Sequence, residues 1–161
     1  MKRLILIRHA KSSWEYNVID HQRPLNKRGE SDAILLSNHF KAKRMHPDKV
    51  LISDATRTRL TAECFVEALS INSKIIEFNH DLYDFSGNDL TKVIKSCDSS
   101  INTLMVFGHN HAITAFVNTF GSKYIENVPT CGIVILEFDI EFWGDLKKGH
   151  TLETIFPKDL K

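Results

Sequence analysis

The sequence predicts an α/β fold, a three-layer α/β/α sandwich with a mostly parallel central sheet, and three observations carry that prediction. Short apolar runs, LILI at 4–7, VLIS at 50–53 and TLMVFG at 103–108, have the length and composition of strands buried on both faces. Each leads directly into polar residues. Segments with apolar residues at helical spacing separate them, and strands alternating with helices are the pattern of a parallel sheet covered on both sides.

The first strand, 4–7, is followed by a polar stretch and by ESDAILLSNHFKAKR from Glu30, whose apolar residues recur at helical spacing. The second strand, 50–53, precedes a helix over Thr58–Leu69. SKIIEF at 73–78 predicts a short strand, and Ser86 is the expected N-cap of a helix through NDLTKVIKSC. After the third run, ITAFVNTF forms a helix that stops at Gly121. GIVILEFD at 132–139 and TLETIF at 151–156 are the closing strands, paired as a ribbon across a short polar connection.

Composition bounds the function classes. The 161 residues suit one domain, 1–161, with no internal repeat and no linker rich in Pro, Gly or Ser. Lys plus Arg nearly balances Asp plus Glu, leaving +1, so nothing marks a nucleic-acid or membrane partner. No stretch approaches the ~20 apolar residues of a membrane span. Three cysteines without CxxC spacing, Cys64, Cys97 and Cys131, fit neither a disulfide framework nor a zinc site, so reduced thiols in the cytoplasm are expected.

Ligands of open α/β sheets bind outside the carboxyl ends of the strands. Residues just after the three runs therefore share one crevice: Arg8 and His9, then Ser53 to Arg57, then His109 and Asn110. Two guanidiniums suit the oxygens of a phosphoryl group, and a neutral imidazole against such a group is a competent nucleophile. A second imidazole can stabilise charge on the transferring group. The arginines supply the positive charge, so this chemistry needs no metal and no cofactor.

Each residue also has an ordinary reading. His9 could be a satisfied strand-end histidine and Arg8 a surface ion-pairing residue. Arg57 shares a run with Arg59 that could be a solvated helix face. His109 could cap a helix, and the His-x-His of GHNH could hold a metal, although no carboxylate or thiol accompanies it at ligand spacing. His21, His39, His46, His80 and His150 read as surface or loop residues.

LILIRHAKSSW at 4–14 resembles the opening of the histidine phosphatase superfamily, marked by Arg-His-Gly or Arg-His-Ala after the first strand. DHQRPLNKRG at 20–29, SDATRTRLTAE at 53–63, FGHNH at 107–111, DLYDF and the ending FPKDL resemble blocks of its short, SixA-type phosphohistidine phosphatases. The resemblance spans essentially the whole chain. It implies that Arg57, rather than Arg59, binds phosphate, that His109 is the second histidine, and that the first and third strands lie side by side with one closing strand antiparallel. Ser12 joins Arg8, Arg57 and His109 as a substrate-binding candidate. Asp84, in DLYDF, is the nearest match to the family's general acid, which is a longer Glu in many members. His111 stands where the subfamily has Pro and is a candidate extra site residue.

The resemblance implies a phosphoglycerate mutase-like fold, and between Arg57 and His109 no insertion remains to form a large cap over the site. The expected function is hydrolysis of phosphohistidine on a protein, a histidine phosphotransfer domain or phosphocarrier, through an intermediate on His9. The expected protein is a cytoplasmic monomer. A phosphatase for a small phosphomonoester and a phosphate-recognition module without turnover are the alternatives.

Overall fold

The computed structural model describes residues 1–161. Six strands form one sheet: β1 (Lys2–Arg8), β2 (Lys49–Ile52), β3 (Ile76–Phe78), β4 (Thr103–Gly108), β5 (Ile133–Phe138) and β6 (His150–Ile155). Their order is β3-β2-β4-β1-β5-β6. The pairs β3·β2, β2·β4 and β4·β1 are parallel, whereas β5 runs antiparallel to both β1 and β6. One strand direction is therefore reversed, as the resemblance implied, and β5 and β6 are the expected ribbon.

Side-chain alternation divides the core. Ile5, Ile7, Val50, Ile52, Met105, Phe107, Ile133 and Ile135 pack on one face under helices α1 (Lys27–Lys41) and α2 (Thr56–Leu69). Leu4, Leu6, Leu51, Leu104, Val106, Val134 and Leu136 pack on the other under α3 (Asn88–Lys95) and α4 (Ala112–Phe120). The continuous apolar runs are thus explained by burial on both faces. This is the three-layer sandwich.

Helix α2 begins at Thr56, two residues before the expected Thr58, and the starts of α1 and α3 differ because a side chain reaches back to amides. Helix α1 begins at Lys27, ahead of Glu30, because the Asn26 side chain accepts from Gly29 N at 2.8 Å. Helix α3 has Gly87, not Ser86, at its N-cap position, and its first amides are held by Asp84: Oδ2 accepts from Gly87 N and Leu90 N, both at 3.0 Å. Gly87 takes φ +105°, a conformation that disfavours any side chain.

One glycine couples the fold to the site. A Cβ at Gly29 would stand 2.1 Å from the Lys11 carbonyl oxygen, so the first turn of α1 lies directly against the loop that leaves β1. Asn26 N also donates to Lys11 O at 3.0 Å.

Candidate active site

Register places the reactive residues. Arg8 pairs with Gly108 at the parallel ends of β1 and β4, so His9 and His109 leave adjacent strands together, their ring centroids 5.2 Å apart. Arg57 comes from the first turn of α2, behind β2, and is 2% exposed. Arg8, His9 and Arg57 line a cleft of about 500 Å³, together with Ser12, Asp20 and Arg23. His109 lies beneath it, 1% exposed.

His9 Nδ1 lies 2.7 Å from the Ala10 carbonyl oxygen. A carbonyl only accepts, so Nδ1 carries the proton and Nε2 keeps its lone pair. Burial pushes the His9 imidazolium down to about 3, against the Ala10 hydrogen bond and with help from Arg57, Arg8 and Arg23. Burial, His9 and Arg57 push His109 down to about 2. Both rings are neutral at physiological pH. Ser53 Oγ and His109 Nε2 share a 2.8 Å hydrogen bond, and Ser53 is fully buried.

The cationic groups are held by backbone carbonyls and by Asp20. Arg8 Nη1 donates to Val128 O at 2.8 Å. Burial and the neighbouring Arg57 guanidinium lower the Arg8 pKa. Arg57 donates from Nη1 to Asp20 O and from Nη2 to the Asp20 carboxylate. Only five buried side-chain nitrogen or oxygen atoms in the chain lack a hydrogen-bond partner, and three of them are Arg8 Nε, Arg57 Nε and His109 Nδ1. Unsatisfied buried donors are rare, so three in one crevice indicate a site shaped for an acceptor-rich ligand.

Several residues to which sequence reasoning gave no role complete the crevice. Arg23 donates from Nη1 to Ser12 Oγ at 2.7 Å and from Nε to the Asp20 carboxylate at 3.0 Å, and its guanidinium lies 3.5 Å from the centre of the Trp14 ring. Ser12 thus lines the cleft and also fixes Arg23. Asp20 receives Arg57, Arg23 and the Tyr83 hydroxyl. Burial alone would raise its carboxyl, but these bonds outweigh that and hold it far below the usual range. The visible signal was the Asp-x-x-Arg spacing of DHQR.

Asp84 does not line the cleft. Its two oxygens accept from Ser86 N, Ser86 Oγ, Gly87 N and Leu90 N, and burial's upward push is outweighed, so the carboxyl lies below its ordinary range. These bonds make Asp84 a cap for the first turn of α3. His111 is exposed at the start of α4 and does not line the cleft.

The family model of the histidine phosphatase superfamily (branch 1) matches residues 4–94. An uncharacterised chloroplastic protein of Arabidopsis thaliana is 32% identical over 153 residues, which cover 89% of this chain and 70% of that one. An uncharacterised protein of Mycobacterium tuberculosis is 29% identical over 154 residues, covering 89% and 93%. Among solved structures, the protein histidine phosphatase SixA complexed with tungstate superposes with a TM-score of 0.80 at 19% identity, covering 99% of both chains, and so shares the fold.

Proposed function

The chain belongs to the histidine phosphatase superfamily, and from that membership we propose that it is a phosphatase acting on phosphohistidine carried by a protein, with His9 as nucleophile. The observation that carries this reading is the trio of buried nitrogens without a partner, Arg8 Nε, Arg57 Nε and His109 Nδ1, around an imidazole whose Nε2 is free. Phosphoryl oxygens would satisfy all three donors at once.

In the proposed reaction His9 Nε2 attacks phosphorus as the bond to the substrate's imidazole nitrogen breaks. The electron pair of that bond leaves with the substrate nitrogen, and the proton already on the other nitrogen of that ring makes the departing imidazole neutral. Arg8, Arg57 and Arg23 carry the charge of the equatorial oxygens, and His109 donates from Nδ1. Water then attacks the phosphorus of phosphorylated His9, releasing inorganic phosphate and restoring the neutral ring.

The environment of the carboxylates favours a nitrogen leaving group. Hydrogen bonds hold both Asp20 and Asp84 in the ionised form, so neither is a proton store for a departing alkoxide. An imidazole leaving group is basic enough to bring its own proton. The open cleft, without a large cap, suits a side chain presented by another protein.

The test uses the purified chain with a phosphohistidine carrier protein and a panel of small phosphomonoesters. Rapid quenching should trap an acid-labile phosphoenzyme that maps to His9, with the carrier turned over fastest. Label on another residue would overturn the nucleophile. Faster turnover of a small ester would favour the small-substrate reading, and binding without turnover would favour a recognition module.

A further inference from the structure

A second set of reactive side chains lies beside the cleft, without lining it. His21 comes from the single helical turn Asp20–Gln22, Asp54 from the loop after β2, and His80 from the turn His80–Leu82. Asp54 Oδ1 lies 2.8 Å from His21 Nε2 and 3.0 Å from His80 Nδ1, and Asp54 Oδ2 is also 3.0 Å from His80 Nδ1. One ligand atom from each residue lies within 4.8 Å of the other two. We propose that His21, Asp54 and His80 form a binding site for one divalent transition-metal ion of the zinc class.

The donor set is the first argument. Two imidazole nitrogens and one carboxylate oxygen suit zinc and its first-row neighbours, and leave a fourth position for water. Isolated surface histidines do not converge in this way, and these two aim a ring nitrogen at the same carboxylate.

Geometry is the second. A tetrahedral ion with ligands about 2.0–2.2 Å away holds neighbouring ligand atoms about 3.3–3.6 Å apart. The contacts to Asp54 therefore need to open by only about half an ångström. Side-chain exposures of 29% for His21, 36% for Asp54 and 71% for His80 leave room for that adjustment without moving the core. Each imidazole would shift its proton to the other ring nitrogen and offer the freed lone pair to the ion.

Position gives the ion a role. The His21 and His80 rings both stand against Tyr83, at centroid distances of 4.9 and 5.9 Å, and the Tyr83 hydroxyl donates to Asp20. A bound ion would fasten the turn bearing Asp20 to the turn leading into Tyr83. It would act as a tether at the rim of the phosphate crevice, and the arginines would still carry the phosphoryl charge. The inference stands independently of the phosphatase reading, because its test reads binding alone.

The metal-stripped chain is titrated with Zn²⁺ by calorimetry and with Co²⁺ while the visible d–d absorption is followed. One equivalent should bind, with Co²⁺ giving a low-coordinate, nitrogen-containing spectrum. His21→Gln and His80→Gln should each weaken Zn²⁺ binding by more than about tenfold, with circular dichroism checking the fold. His111→Gln should bind as the parent does. Failure of the parent chain to bind one equivalent would overturn the site, as would unchanged affinity in both His21→Gln and His80→Gln, or equal loss in His111→Gln.

Discussion

Arg57 grips Asp20 twice, from Nη1 to the backbone carbonyl at 2.7 Å and from Nη2 to the carboxylate at 3.0 Å, while its Nε remains free. The guanidinium is oriented before any ligand arrives, and only a planar fork can hold two fixed partners and still offer a third donor.

Arg57→Lys should therefore lower kcat/KM by about 10²-fold or more, as expected when a preorganised donor to a transition state is lost. Arg59, two residues on and exposed, should tolerate lysine with little change. Steady-state kinetics on the two variants checks this, and a reversal would assign the phosphate arginine to the wrong helix position.

Ser53→Ala removes the partner of His109 Nε2 in a fully buried setting. The stranded nitrogen should cost about 1–3 kcal/mol of stability. It should also release the ring from its orientation, so activity should fall more than the modest loss of stability accounts for. Chemical denaturation read alongside kcat separates the two effects.

Both imidazoles of the cleft protonate far less readily in the folded chain than the ordinary value of 6.5, with His9 near 3 and His109 near 2. Below about pH 6.5 the unfolded chain takes up protons at these positions and the folded chain does not. Stability should therefore be insensitive to them above pH 7 and decline as pH falls toward 4, by about 1.4 kcal/mol per unit for each ring. Asp20, Asp54 and Asp84, whose values are lowered, contribute stability above the usual carboxylate range and lose it at still lower pH. Denaturation midpoints between pH 7 and 4.5, compared with His9→Asn, should show a shallower slope in the variant.

Asp84→Asn should behave as a damaged helix cap. Four donors meet its two oxygens, and the amide can satisfy only part of them, so a loss of about 1–2 kcal/mol is expected. The ratio of rates on phosphohistidine protein and on an alkyl phosphate should stay constant. A selective drop on the alkyl phosphate would return Asp84 to the role of proton donor.

The arginine and histidine quartet was readable because position alone determines it. Residues that follow parallel strands share a crevice whatever the loops do, so Arg8, His9, Arg57 and His109 could be brought together from three apolar runs. The hydrogen bonds of Asp84 were not legible, because a carboxylate that folds back onto the amides of its own turn looks, in sequence, like any acidic loop residue. Asp20 and Arg23 lie in a loop whose path depends on Gly29 seating against Lys11. His21 and His80 are distant in sequence and come together around Asp54 only once β2 and β3 are neighbours.

The pairing of Arg8 with Gly108 has a consequence for how this site can vary. Adjacent strands stand about 4.8 Å apart because their amides and carbonyls must meet, and the His9 and His109 rings, 5.2 Å apart, inherit that interval. The backbone interval fixes where the two rings start, and the bonds to Ala10 and Ser53 fix how they turn. Changes of specificity must therefore arise in the loops that frame the two rings, around Trp14, Asp20 and Phe85, while the distance across which the phosphoryl group is handled stays constant.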